Sequence, residues 1–344
     1  MIDTYLLTQQ GLFPQSTPQD ILKHCYQAAF GAEHLLGDMD AARAYFHEEY
    51  ASLAPAKAAL CQPLSEEVCR ADMAAWKAAG LPEDWLFNLF RLSASVRNDG
   101  KAVFEEYISR AEGLCKSGAF SFSAAKWDAY LKAYREKGMP PLRHSDTYRA
   151  AYKPAYRIVS TRLARLIPIL EAAAKSSARP CIISIEGRAA SGKSSMAAAL
   201  SDVLGCGTVH MDDFFLPPTL RSPARYAEAG GNVHYERFID EVLPRLRDSE
   251  GFSYRRFDCS LMDFGELRQI KTADFVLVEG SYSLHPRFGD YADVRVFSDV
   301  APDEQLRRIV NRDGADYAEV FKSRWIPLEE AYFSAFPIEN ALTV

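Results

Sequence analysis

Through the first 178 residues apolar side chains recur at helical spacing, and beyond them the texture changes to short β-branched runs separated by helical stretches. The clearest helix start is Thr17-Pro18-Gln19-Asp20, a cap residue followed by a first-turn proline. Ile21, Leu22, Cys25, Ala28 and Ala29 then share one face as far as Gly31. Similar patterns predict helices over 40–53, 65–79 with Ser65 as cap, 83–95, 101–116, 123–137 and 154–174. Pro63, Gly80-Leu81-Pro82, Asp99-Gly100, Gly118 and Gly138-Met139-Pro140-Pro141 separate them. No apolar–polar alternation competes, so residues 1–175 are expected to form an all-α N-terminal domain.

The change of texture falls at Ser176-Ser177-Ala178-Arg179-Pro180. After it, strand-like runs at 181–186, 208–211, 275–279 and 294–298 alternate with helical stretches at 195–204, 235–247, 302–313 and 328–335. Strands alternating with helices predict an α/β domain over 180–344, a parallel sheet flanked by helices.

At 344 residues the chain can bury two cores. With 48% hydrophobic and 25% charged residues its composition is that of an ordinary globular protein. A net charge of −6 argues against nucleic acid as a partner. No apolar run approaches the ~20 residues of a membrane span, and Met1-Ile2-Asp3-Thr4-Tyr5 lacks a signal peptide's basic start, so a cytoplasmic protein with no membrane partner is expected. Self-association into a homo-oligomer is compatible with this composition. The seven cysteines, including Cys259, form no C-x-x-C pair and suggest free thiols rather than a zinc site or disulfide framework.

One octapeptide narrows the chemistry. Gly187-Arg188-Ala189-Ala190-Ser191-Gly192-Lys193-Ser194 is a complete G-x-x-x-x-G-K-[ST] phosphate-binding loop, placed between a predicted strand and a helix beginning at Ser195. Gly187 and Gly192 let the backbone curl so that amides point at phosphates, and the helix start adds its positive dipole end. Lys193 is expected to reach the β/γ-phosphates of ATP and the Ser194 hydroxyl to ligate Mg²⁺. The second-half domain is thus expected to be a P-loop NTPase domain.

A triphosphate alone does not separate a kinase from a motor or a switch. Asp212 and Asp213 lie at the end of the second predicted strand, where ligands bind in open α/β sheets, and a carboxylate there can take the proton of an attacking hydroxyl. Read alone, the pair also suits a helix or turn cap.

A phosphate loop followed by Asp212-Asp213-Phe214-Phe215 resembles the uridine kinase, nicotinamide riboside kinase and phosphoribulokinase superfamily, over about residues 180–336. The resemblance implies that Asp212 is the general base, that Asp213 assists Mg²⁺ or a water, and that Phe214 and Phe215 pack. Asp274-Phe275-Val276-Leu277-Val278-Glu279-Gly280 is similar to the family's strand ending in Glu-Gly, which implies that Glu279 lies beside the Mg²⁺ held by Ser194. The stretch from Leu306 to Asp313 resembles the family's lid helix, with Arg308 and Arg312 as its phosphate-closing arginines and Arg307 a weaker candidate. The Arg-Gly that follows in the family is replaced by Gly314-Ala315. Gly230 to Phe238 and Tyr254 to Asp258 resemble the family's substrate segments, which implies substrate contacts from His234, Tyr235, Arg256 and Asp258. The His and Arg typical of pyrimidine-nucleoside kinases are missing after Asp258, so pyrimidine specificity is not implied. Ala32 to Leu36 and Lys153 to Arg157 look similar to helical parts of bacterial uridine-kinase-like proteins, without an attached function. Polar Glu33, His34, His144 and Arg157 in this half suit either core pairing or a second site.

The expectation is therefore an ATP- and Mg²⁺-dependent kinase acting on a small-molecule hydroxyl, such as the 5′-hydroxyl of a nucleoside or a related sugar-like alcohol. Two rivals remain: a nucleotide-dependent regulator whose helical half binds a partner, and a helical half that is a separate enzyme. No Asn-Lys-x-Asp guanine-recognition motif is present, which argues against a GTPase switch.

Overall fold

Thr17 and Asp20 start their helix as their spacing predicts: the Thr17 backbone N–H and hydroxyl both donate to Asp20 Oδ2, at 2.9 and 2.8 Å. That helix, α2 Pro18–Phe30, ends at Gly31, whose φ of +64° suits a residue without a side chain. The computed structural model describes residues 1–32, 38–94, 100–258 and 260–344. Within them the chain forms two compact units, Met1–Arg165 and Leu166–Val344.

In the first unit α2 is joined by α1 Ile2–Leu12, α3 Met39–Ser52, α4 Met73–Ala78, α5 Glu83–Ala94, α6 Lys101–Lys116, α7 Ala124–Glu136, α8 Asp146–Tyr152 and α9 Thr161–Ala164. It is not all-α. β1 Cys61–Pro63, β2 Val68–Asp72 and β3 Tyr156–Ser160 form an antiparallel sheet with β2 in the middle. The helix expected over 65–79 is β2 followed by α4, and the one expected over 154–174 begins with β3. The first four residues of β2 are buried on both faces, so it shows no alternation, and its partner β3 lies far along the chain where a local pattern cannot reveal it. Glu33 and His34 lie outside the described residues. His144 is buried between Asp20 and Tyr156, at 2.9 and 2.8 Å, and Arg157 pairs with Glu49 at 2.7 Å.

The second unit opens with α10 Ile167–Lys175 and holds a five-stranded parallel sheet in the order β5-β8-β4-β9-β10. Its strands are β4 Cys181–Gly187, β5 Thr208–His210, β8 Phe275–Glu279, β9 Val294–Ser298 and β10 Leu342–Thr343. β4 and β8 are buried along their whole length, as continuous Ile, Val and Leu runs require of central strands. Because the chain's first parallel strand, β4, is central, the connections diverge on its two sides, and the strand tips there form the crevice where α/β sheets bind ligands. This is a P-loop α/β fold. Around the sheet lie α11 Lys193–Leu204, α12 Pro223–Ala227, α13 Tyr235–Glu241, α14 Pro302–Asp313, α15 Ala315–Val320 and α16 Ile326–Ala335.

Two elements differ from expectation. The helix expected over 235–247 stops at Glu241 and gives way to a 3₁₀ turn at Leu243–Arg245, since Pro244 cannot donate the next helical hydrogen bond. A hairpin, β6 Phe252–Asp258 and β7 Asp263–Ile270, stands where no strand was expected. Its inward Phe252, Tyr254 and Phe257 are buried, Phe252 and Tyr254 in the core cluster of Phe214 and Phe238, while most of β7 is solvent-facing and polar. No helix among the described residues is long and apolar enough to cross a membrane.

Candidate active site

The loop leaves β4 at Gly187, where φ is +151° and a Cβ would collide with the Ser298 carbonyl of β9, so only glycine fits. Glu186, fully buried one residue earlier, anchors the turn. Its carboxylate accepts from the amides of Gly187 and Tyr282 at 2.9 Å and Leu284 at 3.0 Å, and from the Tyr332 hydroxyl at 3.2 Å. Burial pushes its pKa up, offset by those amides. Ala190 and Gly192 take positive φ, and the chain enters α11 at Lys193. Lys193 folds back on its own loop, Nζ donating to the carbonyls of Gly187 at 2.8 Å and Arg188 at 2.7 Å. Burial lowers its pKa, while Glu329, Glu186, Glu279 and Asp212 hold it up.

A cleft of about 590 Å³ opens beyond this loop. Ala189, Ala190, Gly192, Lys193, Ser194 and Ser195 form one wall. Asp212 and Glu279 face it from the tips of β5 and β8. Ser194 Oγ lies 3.3 Å from Glu279 Oε2, and His210 Nδ1 lies 2.6 Å from Glu279 Oε1. A hydroxyl and a carboxylate oxygen side by side are the hard donors Mg²⁺ takes, with waters completing its shell. No cluster of three or more metal-ligating His, Cys, Asp or Glu side chains occurs among the described residues. Asp212 makes no hydrogen bond to the protein among the described residues. Its carboxylate opens to the cleft, yet the surrounding protein desolvates it enough to raise its pKa, with Glu279 and Asp213 adding repulsion and Lys193 opposing them.

Solved kinase structures are similar to this chain over about half its length. A possible uridine kinase from Bacillus stearothermophilus is 18% identical, with 52% of this chain covering 97% of that one at a TM-score of 0.40. A protein assigned as a fructose transport system kinase from Silicibacter sp. TM1040 is 22% identical, with 53% covering 97% at 0.44. For the D-glycerate 3-kinase of Cryptococcus neoformans var. grubii the figures are 13%, 52%, 88% and 0.35. No protein-family model matches the sequence, and no curated protein does.

Not every expected residue reaches the cleft. Asp213 is buried and turned away, its carboxylate taken by the Tyr254 hydroxyl and Arg268 Nε, each at 2.7 Å, so it is not free to assist a metal at Ser194. Among the described residues that line the cleft, His234, Tyr235, Arg256 and Asp258 are missing. Tyr235 donates to Glu228 at 3.0 Å beneath the Arg225 guanidinium, and Arg256 pairs with Asp258 at 3.0 Å. Cys259, next to that pair, lies outside the described residues. Arg308 does approach the loop: Nη1 donates to the carbonyls of Ala190 at 3.2 Å and Ser191 at 3.3 Å, and Nε to Glu304. Arg312 lines the cleft while paired with Asp313 at 2.8 Å, Arg307 is held by Glu304, and Arg188 is held by Asp299 and Glu330.

Sequence reasoning missed Glu329. From α16 this buried carboxyl group accepts the Ala189 amide at 2.7 Å and Gln305 Nε2 at 3.2 Å, so one phosphate-loop amide is already held by a side-chain oxygen. Burial pushes its pKa up to about 7 against the pull of Lys193 and the Ala189 amide. Raised from 4.5, the group favours folding while neutral below pH 4.5 and loses that contribution as pH climbs through 7, up to about 3 kcal/mol. Glu329→Gln keeps an acceptor for Ala189 and removes the titration. The variant is expected to gain stability relative to the parent between pH 4.5 and pH 8, read by paired thermal melts. A difference that stays flat with pH contradicts this assignment.

Proposed function

We propose that the second unit transfers the γ-phosphoryl group of ATP to a hydroxyl of a small molecule, of which a nucleoside or another sugar-like alcohol is one kind. The observation that carries the reading is Asp212: a carboxylate with no protein hydrogen bond among the described residues, sharing one cleft with Lys193 and the Ser194–Glu279 pair. A hydrolytic switch has no need of a free base facing an acceptor-sized space.

In this reading the Ala189 amide stays with Glu329, the amides from Ala190 to Ser195 cradle the phosphates, and Lys193 exchanges its loop carbonyls for β/γ-oxygens. Ser194 and Glu279 hold Mg²⁺, which when bound neutralises phosphate charge. Asp212 takes the proton as the acceptor oxygen bonds to phosphorus and the bond to the ADP oxygen breaks. Arg308 and Arg312 move onto the transferring group, where cations stabilise developing charge. Asp213 has a positioning task, fixing the strand-end turn through Tyr254 and Arg268. The substrate roles expected of His234, Tyr235, Arg256 and Asp258 are not carried into this reading, because none of them lines the cleft that Asp212 shares with Phe215, Asn232, Tyr282 and Trp325.

The test is ADP release with ATP, Mg²⁺ and a panel of nucleosides, sugars, sugar phosphates and hydroxy acids. Acceleration by one class over the acceptor-free rate is expected. A rate indifferent to every small molecule but raised by a protein partner would favour the regulator instead.

A further inference from the structure

The cleft carries more positive charge than a triphosphate needs. Lys193, Arg308 and Arg312 all face the phosphate loop or its closing helix, and each has carboxylates nearby, from Glu329 and Glu279, Glu304, and Asp313 respectively. Arg221 and Arg324 line the same cleft and have no carboxylate partner among the described residues. Arg221 Nε donates to the carbonyl of Leu216, four residues past Asp212, and its Nη2 lies 3.8 Å from the Met262 sulfur. The Arg324 guanidinium rests on the rings of Tyr226, at 5.0 Å, and Trp325, at 4.7 Å, and Trp325 packs on Phe215. Asn232 also belongs to the cleft wall, buried, with its amide oxygen lacking a hydrogen-bond partner among the described residues.

Two guanidinium groups lining one cleft with no carboxylate partner among the described residues, in a protein of net charge −6, are a poor match to a neutral alcohol. They suit a planar or tetrahedral oxyanion, which the arginine fork binds through paired hydrogen bonds. We propose that the acceptor is an anionic alcohol, a small polyhydroxy compound bearing a carboxylate or phosphate group that Arg221 and Arg324 hold while its hydroxyl meets Asp212. This rests on the phosphoryl-transfer reading and narrows it to a substrate class.

Matched pairs that differ in charge test it on the full chain: glycerol against glycerate for a carboxylate, ribose against ribose 5-phosphate for a phosphate, with uridine as a neutral reference. ADP release and phosphomonoester formation are the readouts. The charged member of at least one pair is expected to accelerate turnover tenfold or more over its neutral counterpart, and which pair responds identifies the anion. Arg221→Gln and Arg324→Gln are each expected to raise the acceptor KM about tenfold or more, with the KM for ATP within twofold of the parent. Arg221→Lys, which keeps the charge but loses the fork, is expected to recover part of the loss. Faster turnover of the neutral members, or an acceptor KM that ignores both glutamine variants, overturns the anionic acceptor and leaves phosphoryl transfer standing. Turnover of no compound at all sinks phosphoryl transfer and this inference with it. A rise in the KM for ATP instead would move Arg221 and Arg324 to the donor side and overturn the proposal.

Discussion

Lys193→Ala is expected to lower ATP-dependent turnover by about a thousandfold or more, the scale of losing one preorganised electrostatic contact to the developing charge. The lysine cannot be replaced by a neighbour. It is the cation closest to the loop backbone, held at 2.8 and 2.7 Å by the Gly187 and Arg188 carbonyls, and it offsets Glu329, Glu186, Glu279 and Asp212. Its removal leaves those carboxylates facing an incoming triphosphate, so ATP affinity falls together with kcat. Lys193→Arg is expected to rescue little, because a planar fork does not fit a space shaped for a point charge. Circular dichroism should show the fold retained, and isothermal calorimetry the lost ATP binding. A Lys193→Ala protein that binds ATP normally and keeps most of its turnover would remove the loop from the chemistry.

Asp212→Asn separates chemistry from binding. The carboxylate takes no hydrogen bond from the protein among the described residues, so its loss should not disturb the fold. Its distinct job is to accept a proton, an effect worth about a hundredfold to ten-thousandfold in rate. ATP affinity should change little or rise slightly, since one negative charge leaves the cleft. The parent's kcat should fall as pH drops through a pKa above the ordinary aspartate range, because desolvation and the neighbouring Glu279 and Asp213 raise it. That acid limb should vanish in the Asn variant. A variant with normal kcat, or one that keeps the same limb, would show that another group takes the proton.

The sequence made the second unit's centre legible because its signals are local. A glycine loop between a β-branched strand and a helix needs no long-range information, and β4, β8, β9 and α14 fall where their patterns predict. Asp212 and Glu279 were readable because strand tips of a parallel sheet converge. The first unit's sheet was hidden for the opposite reason: β2 pairs with β3 across most of that unit, and a strand buried on both faces carries no period. The cleft's remaining wall was hidden too. Glu329, Gln305, Asn232, Arg221 and Arg324 come from helices and turns that reach the site only after packing, and an isolated charged residue on a helix looks like a solvated one. Glu186 stands one residue before the motif, but its role depends on the amides of Tyr282 and Leu284 far downstream. The expected substrate residues were carried by resemblance, and here Tyr235, Arg256 and Asp258 make pairs within the unit.

The most direct test of phosphoryl transfer to a small alcohol is ³¹P NMR of the protein with ATP, Mg²⁺ and the most active acceptor of the panel. ADP and a new phosphomonoester resonance should rise together in equal amounts, and neither should appear with Asp212→Asn over the same period. ADP accompanied only by inorganic phosphate, at a rate the acceptor does not change, would contradict the account.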